Sequence, residues 1–284
     1  IIQTLNDRII PLKTLKIVNS SLDENTVRIF SSYLNTTTTL KELDISGSSI
    51  KDQQLQILLD SLLSNISIEE GGLILSLNRL GLKGKRYEAI KNTLISYSSK
   101  ISELSLNENG ISLSDSIIYD ISEFANLKKV SLAVNFTKKM VGIGKALSLF
   151  LDHSNITSLN ISGNSETGQK IGGYALETEA IPFIKGLYTN SSLKELDISG
   201  NLIGDEGIKM ICEILREPTS SIQIINIDNN NITSIETIND FLDSAAESSS
   251  MIDAVFPVDD IYNILCNSGN QENVPKCKRD HDKM

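Results

Sequence analysis

The chain has 284 residues, 40% of them hydrophobic and 22% charged, and its formal net charge at pH 7 is -10. This composition is typical of a globular protein with enough apolar material for a buried core, and it contains no apolar run long enough to span a membrane. The acidic balance argues against a general nucleic-acid binder, which needs a basic surface to neutralise phosphates, and it is easier to reconcile with a basic partner.

The N-terminal segment, IIQTLNDRII, has no starting Met and lacks the basic and apolar regions of a signal peptide. We therefore expect a fragment of a longer protein, whose first eleven residues complete the helix of a preceding unit. The three cysteines, Cys212, Cys266 and Cys277, are too few to staple a fold of this size. Their scarcity favours a reducing, cytoplasmic compartment.

One phrase recurs along the chain. Its clearest copies are LKELDISGSSI from Leu40 and LKELDISGNLI from Leu193. Nine copies start at positions 12, 40, 72, 101, 127, 156, 193, 222 and 251, so neighbouring starts lie 26 to 37 residues apart. Self-similarity at such a period is typical of a repeat protein in which each unit contacts only its neighbours.

Each repeat is predicted to contain a strand, a turn and a helix. The alternation of Leu196 and Ile198 with polar residues indicates a strand with one buried side. Apolar residues at three- and four-residue steps then indicate a helix. These helical positions are Ile208, Ile211, Cys212 and Leu215 in one repeat, and Leu55, Leu58, Leu59 and Leu62 in another.

Neither half of a repeat can bury its apolar side alone, so neighbouring repeats must stack into one continuous core. The period predicts an α/β leucine-rich-repeat solenoid resembling ribonuclease inhibitor, a right-handed horseshoe with parallel strands on the concave face and helices on the convex face. Strand leucines should then stack in one interior column. We expect this column to contain Leu43, Leu104, Leu159 and Leu196.

A polar residue follows each strand at a nearly fixed distance, as Asn201 does. Such an inward-facing side chain can satisfy backbone groups of neighbouring turns that would otherwise be buried without partners. We assign the same place in the other repeats to Asn109, Asn135, Asn164 and Asn230 and, with poorer hydrogen-bonding capacity, to Ser20 and Ser49.

The longest repeat runs from Ile156 to Ser192 and carries extra residues around Glu166–Glu177. Glycines there predict a loop between strand and helix, either a tolerated insertion or a binding loop. Residues 267–284 are polar and lack apolar periodicity, so we expect a frayed tail. The predicted organisation is a single solenoid of about nine repeats over residues 1–266, followed by this tail.

The sequence offers little for catalysis. His153 and His281 are the only histidines, and neither is expected in a cleft beside a nucleophile and a carboxylate. Gly142 and Gly144 lack the flanking residues of a phosphate-binding loop and are interpreted as turn or helix-start glycines. No metal-ligand spacing occurs beyond a chance pair of Cys277 and His281 in the tail. We expect no enzyme, no cofactor and no metal.

The outward side chains of the strands form the candidate protein-binding surface, the concave face. It is predicted to be polar, with an acidic bias near both ends and without the aromatic residues common at strong interfaces. A solvated sheet surface is the simpler alternative, and the exposed helix faces or the ends of the arc are rival binding surfaces. The candidate residues are Glu42, Asp44, Glu103, Lys129, Asn160, Glu195, Asp197, Asp228 and Asp253.

Three consecutive elements carry a more specific resemblance: LKELDISGNLIGDEGIKMICEIL from Leu193, INIDNNNITS from Ile225 and MIDAVFPVDDIYNIL from Met251. In this order, with the last strand ending in a proline before an aspartate-containing helix, they resemble the repeat domain of CARMIL proteins, linkers of actin capping protein, the Arp complex and myosin-I. The resemblance implies a cytoplasmic, non-catalytic scaffold in actin regulation. The alternative is a recognition module of a small-GTPase regulator or of an immune or pathogen sensor.

Overall fold

In the part of the chain that the structure describes, every copy of the repeated phrase forms a short strand, and these nine strands make one parallel sheet in chain order. The computed structural model describes residues 11–111, 115–135, 140–164 and 175–267. Each strand is hydrogen-bonded to the next one along the chain, as a solenoid requires. The strands are β1 (Thr14–Lys16), β2 (Glu42–Asp44), β3 (Leu73–Ser76), β4 (Ile101–Ser105), β5 (Lys129–Ser131), β6 (Ser158–Asn160), β7 (Glu195–Asp197), β8 (Ile224–Asn226) and β9 (Asp253–Val255).

A helix follows each strand, and consecutive helices pack side by side, sharing one buried apolar cluster with the inward residues of the sheet. The predicted helical positions, from Leu55 to Leu62 in one repeat and from Ile208 to Leu215 in another, are buried. The helices are α1 (Glu24–Thr36), α2 (Asp52–Leu63), α3 (Lys85–Ser96), α4 (Asp115–Ser122), α5 (Ile143–His153), α6 (Ala180–Leu187), α7 (Gly204–Arg216), α8 (Ile235–Glu247) and α9 (Val258–Asn267).

The interior column of strand leucines is confirmed. Strand pairing places the central residues of successive strands directly opposite one another, and nearly all of them are buried. Because stacking neighbours cover both sides of each central residue from Leu43 to Ile225, the repeats share one apolar core. The column, in strand order, contains Leu15, Leu43, Leu75, Leu104, Val130, Leu159, Leu196, Ile225 and Ala254.

Buried asparagines connect the turns that follow the strands. Asn201 Nδ2 donates to the Ile161 and Ile198 carbonyls at 2.8 and 3.0 Å, and its Oδ1 accepts from Leu176 N at 3.0 Å. The Asn201 N–H itself donates to Asn230 Oδ1 at 2.9 Å. The expected inward role is therefore confirmed for Asn109, Asn135, Asn201 and Asn230, whereas Asn164 is only partly buried.

The assignment of Ser49 to this ladder was wrong, because Ser48 holds the position. Gly47 has a φ of 67°, as the equivalent Gly200 does, and this left-handed turn sends the next residue inward. Ser48 is accordingly buried, donating to Ile17 O at 2.8 Å and accepting from Ser20 N at 3.2 Å, whereas Ser49 is exposed. Ser20 is half-buried and donates to the nearby Val18 carbonyl instead of to a neighbouring repeat.

A carboxylate ends the asparagine ladder. Asp260, at the start of α9, is fully buried, and its two oxygens accept from Asn230 N and Ile232 N, each at 2.9 Å. Burial in the core raises the pKa of this carboxyl above its ordinary value of 3.8. The aspartate in the helix after Pro257 therefore supplies the acceptor that an asparagine supplies elsewhere.

We expect stability to depend on pH through Asp260. Because its folded-state pKa is raised, the folded protein binds more protons than the unfolded chain just above pH 3.8, so stability falls as pH rises through the raised pKa. Asp260→Asn keeps an acceptor without the charge and should reduce this fall, leaving the part due to Asp228, whose pKa is also raised by burial. Urea unfolding of both proteins across a pH series measures the effect. A fall of equal size in Asp260→Asn would contradict it.

Several expectations concern residues outside the described ranges. These residues are the first ten, most of the predicted insertion at Glu166–Glu177, and the tail beyond Asn267, including Cys277 and His281. Within the described ranges, no helix combines the length and the apolar character needed to cross a membrane.

Candidate protein-binding face

The predicted site residues lie on one side of the sheet, opposite the helices, in rows defined by strand register. Glu42, Glu103, Lys129, Glu195 and Asp253 share the first row. Asp44, Asn160 and Asp197 share the second row, two residues further along each strand. Asp228 follows the end of β8 by two residues and lies beyond the second row. The structure thus brings these residues onto one surface.

Local backbone geometry explains several of the second-row residues. Asp44, Asn160 and Asn226 each accept a hydrogen bond from the backbone N–H two residues further on, at 2.9 to 3.1 Å. Such side chains close the turn that leads out of a strand. Asp197 does the same towards Ser199 and also accepts from its hydroxyl at 2.7 Å. One oxygen of each of these side chains therefore has a structural role, irrespective of any partner.

Two ion pairs neutralise part of the charge on the concave face between β1 and β5. Lys16 Nζ lies 2.6 Å from Glu42, and this pairing raises the pKa of Lys16. Lys129 Nζ lies 3.8 Å from Glu103 on the adjacent strand. Exposed pairs of this kind contribute little stability, because water and salt screen them. Their consequence is electrostatic, because they reduce the unpaired charge of this part of the surface.

Replacing Asp197 with alanine should leave the fold intact. The side chain is half-buried, and its removal costs the turn hydrogen bonds to Ser199, about 1 kcal/mol in total. We expect one cooperative thermal transition at a slightly lower temperature. Asp197→Asn, which keeps the acceptor, serves as the control and should unfold close to the original temperature. A loss of several kcal/mol in Asp197→Ala would mean that Asp197 supports the core.

Sequence reasoning missed the apolar residues on this face. Ile224 is 38% exposed and lies in the first row between Glu195 and Asp253, and Val255 is 40% exposed in the second row. The two adjacent isoleucines, Ile224 and Ile225, could have predicted this, because neighbouring residues of a strand point to opposite sides and one of the two must face outward. Ile74, half-buried in the first row on β3, is a third case.

The described surface also contains shallow grooves. One of about 200 Å³ lies on the concave face between Ile74, Glu103, Lys129 and Asn160. Another of about 400 Å³ lies on the convex face between α4 and α5, over Ile118, Ala146 and Phe150. A third of about 650 Å³ lies beside the starts of α1 and α2 and is lined by Asp23, Lys51, Asp52 and Arg86. All three are open clefts with mixed linings.

The groups considered for catalysis have structural partners. Gly142, with a φ of 90°, precedes α5. The N–H groups of Gly142 and Gly144 donate to Glu179 Oε2 at 3.0 and 3.1 Å, so the protein's own carboxylate occupies this helix start. The interpretation of Gly142 as a helix-start glycine is confirmed. His153 Nδ1 lies 2.7 Å from the Leu149 carbonyl, within its own helix.

Cys212 lies on the buried side of α7 as predicted, and burial raises the pKa of its thiol to about 11. A thiol with this pKa is almost entirely protonated at neutral pH and is a poor nucleophile. Within the described ranges, no group of three or more His, Cys, Asp or Glu side chains is placed to hold a metal ion.

The stacked strands, their inward leucine column and the asparagine ladder define the class of this fold. A family model described as Leucine Rich repeat matches residues 189–212, which cover β7 and part of α7. The chain is a leucine-rich-repeat solenoid. Both the predicted fold class and the repeat class of the resemblance are confirmed.

The solenoid is similar to CARMIL proteins, as expected. It is 28% identical over 207 residues to Protein CARMIL of Dictyostelium discoideum, an alignment that covers 69% of this chain and 19% of that protein. It is 30% identical over 183 residues to mouse capping protein, Arp2/3 and myosin-I linker protein 2, covering 62% of this chain and 13% of the relative.

An immune-type relative is comparably similar. The solenoid is 29% identical over 246 residues to human NACHT, LRR and PYD domains-containing protein 3, covering 77% of this chain and 23% of that protein. The chain therefore spans less than a quarter of the length of each of these relatives.

Proposed function

We propose that the solenoid is a non-catalytic protein-interaction scaffold of the cytoplasm that acts in regulation of the actin cytoskeleton. The observation that supports this most is the concave face, an ordered surface whose outward side chains are not needed for the core. The similarity to two CARMIL proteins favours actin-regulatory partners. A non-catalytic role is consistent with Gly142, His153 and Cys212, whose polar groups are held or buried within the protein.

A binding experiment with purified components tests the proposal. The full chain is immobilised and exposed separately to capping protein, the Arp2/3 complex and the tail of a myosin-I. We expect saturable binding of at least one of them. The Leu196→Asp variant, which has nearly the same composition but should not fold, is the control and should not bind. Absence of saturable binding to all three components would contradict the actin role.

The second candidate is a recognition module of an immune sensor or of a small-GTPase regulator. The immune-sensor form of this candidate is favoured by the similarity to NACHT, LRR and PYD domains-containing protein 3, which covers more of this chain than the CARMIL alignments do. The same immobilised chain can be exposed to a Rho-family GTPase in its GTP- and GDP-bound forms. Binding that depends on the nucleotide, without binding to the actin regulators, would favour this alternative.

A further inference from the structure

The surface of the last three strands differs from the rest of the concave face. Register places Glu195, Ile224 and Asp253 side by side across β7, β8 and β9. Asp197 and Val255 flank Asn226 in the next row, and Asp228 follows β8. We define the terminal patch as Glu195, Asp197, Ile224, Asp228, Asp253 and Val255. Four of its six members are acidic.

The terminal patch contains no cation, and its four carboxylates form no ion pair with any described residue. This contrasts with β1 to β5, where Lys16 and Lys129 pair with the acids beside them. Strands in a sheet are about 4.8 Å apart, so like charges accumulate within a small area. The fold uses two of these carboxylates, since Asp197 closes the turn after β7 and Asp228 accepts from Asp259 N at the start of α9 at 2.9 Å. Among the described residues, the side chains of Glu195 and Asp253 form no such hydrogen bond, so the fold does not account for their charges.

Exposed aliphatic side chains lie among these charges. Ile224 is flanked by Glu195 and Asp253 in its row, and Val255 is the outermost residue of the second row. An exposed isoleucine is unremarkable alone. Its combination with unpaired carboxylates on both sides makes the patch complementary to a surface that is cationic and partly apolar.

We propose that the terminal patch binds a basic segment of a protein partner in which lysine or arginine residues flank an aliphatic side chain. The aliphatic side chain packs on Ile224, and the cations pair with Glu195 and Asp253. This inference rests on the proposed function as an interaction scaffold, and it adds the place of binding and the chemistry of the partner. It does not depend on whether the partner belongs to the actin machinery.

The dimensions of the patch suit a short segment. Three strands span about 10 Å across the sheet, and successive rows are about 7 Å apart along it. A few residues of an extended peptide, or one face of a helix, cover this area. Charge pairs at such a surface act mainly on association rate and specificity, and ionic strength weakens them.

The test uses the full chain and a synthetic peptide of lysine and leucine residues spaced by serines. Titration calorimetry compares it with two matched peptides, one with glutamate in place of lysine and one with serine in place of leucine. We expect the lysine–leucine peptide to bind at least about tenfold more tightly than either, a difference of about 1.4 kcal/mol. Binding should weaken as salt is added.

Variants locate the binding. Glu195→Lys combined with Asp253→Lys should lower the affinity at least about tenfold, because both side chains lack hydrogen bonds to described residues and their reversal leaves the fold unchanged. The matched control is Glu206→Lys combined with Glu217→Lys, exposed residues of and beside α7 with the same total charge change. Ile224→Ser should weaken binding of the lysine–leucine peptide but not of the lysine–serine peptide.

The outcomes separate the possibilities. If Glu195→Lys with Asp253→Lys and the control Glu206→Lys with Glu217→Lys lower the affinity for the peptide equally, the binding is nonspecific charge attraction. That result would overturn the proposal. Equal binding of the leucine- and serine-containing basic peptides would overturn the aliphatic contact, and absence of binding would overturn the whole inference. None of these results bears on the actin regulators, whose binding is measured separately, so failure of the inference and failure of the proposed function are distinguishable.

Discussion

Replacing Leu196 with aspartate is expected to unfold the solenoid or a large part of it. Leu196 is 2% exposed and lies in the interior column between Leu159 and Ile225. An aspartate there would lose the leucine contacts and place a carboxylate in an apolar interior without a partner, a cost of more than about 4 kcal/mol. Because each repeat depends on both neighbours, the loss should spread along the stack.

Circular dichroism and urea unfolding measure this effect, with Ser158→Asp as the matched control. Ser158 lies on the adjacent strand β6 but in the outward first row, between Lys129 and Glu195. The same new side chain should cost less than about 1 kcal/mol there, because it stays in water. Equal destabilisation by the two aspartates would mean that the inward and outward assignments of these strands are incorrect.

The fold is largely predictable from the sequence because its signals are local and repeated. Strand alternation and helical spacing identify buried residues such as Leu196 and Cys212 from their own repeat alone. Contacts between distant residues are not predictable in the same way. Glu179 caps α5 from 35 residues away, across the extended repeat, and no pattern in the sequence connects the two positions.

The end of the ladder illustrates the same limit. Asp260 lies in the segment that resembles CARMIL proteins, but the repeat pattern does not predict its role. This carboxylate lies one position later than the ladder residue of the other repeats, and the helix after Pro257 starts earlier in its repeat. The candidate surface shows a similar division. Alternation predicts which residues point outward, but it does not show which of them are neighbours across strands. The strand register places Lys129 beside Glu103, whereas Glu195 and Asp253 have no cation beside them in their row.

Asn201→Ala is expected to destabilise the solenoid strongly. The alanine would leave the Leu176 N–H and the Ile161 carbonyl, both now bonded to Asn201, without this partner in the interior. Each buried polar group left unsatisfied costs about 1 to 3 kcal/mol, so a total loss of about 3 kcal/mol or more is expected. Asn226→Ala is the matched control, because that half-buried asparagine supplies only the turn hydrogen bond to Asp228 N and should cost about 1 kcal/mol.

Hydrogen exchange distinguishes this mechanism from a general loss of stability. In Asn201→Ala, the amide of Leu176 should lose protection first, because it donates directly to the removed oxygen at 3.0 Å. Amides of β2, several repeats away, should change only as much as global stability does. The contrary outcome is a uniform loss of protection from hydrogen exchange, with the amide of Leu176 no more affected than that of Leu43. It would show that Asn201 stabilises the solenoid by packing and not by hydrogen bonding to the backbone of neighbouring repeats.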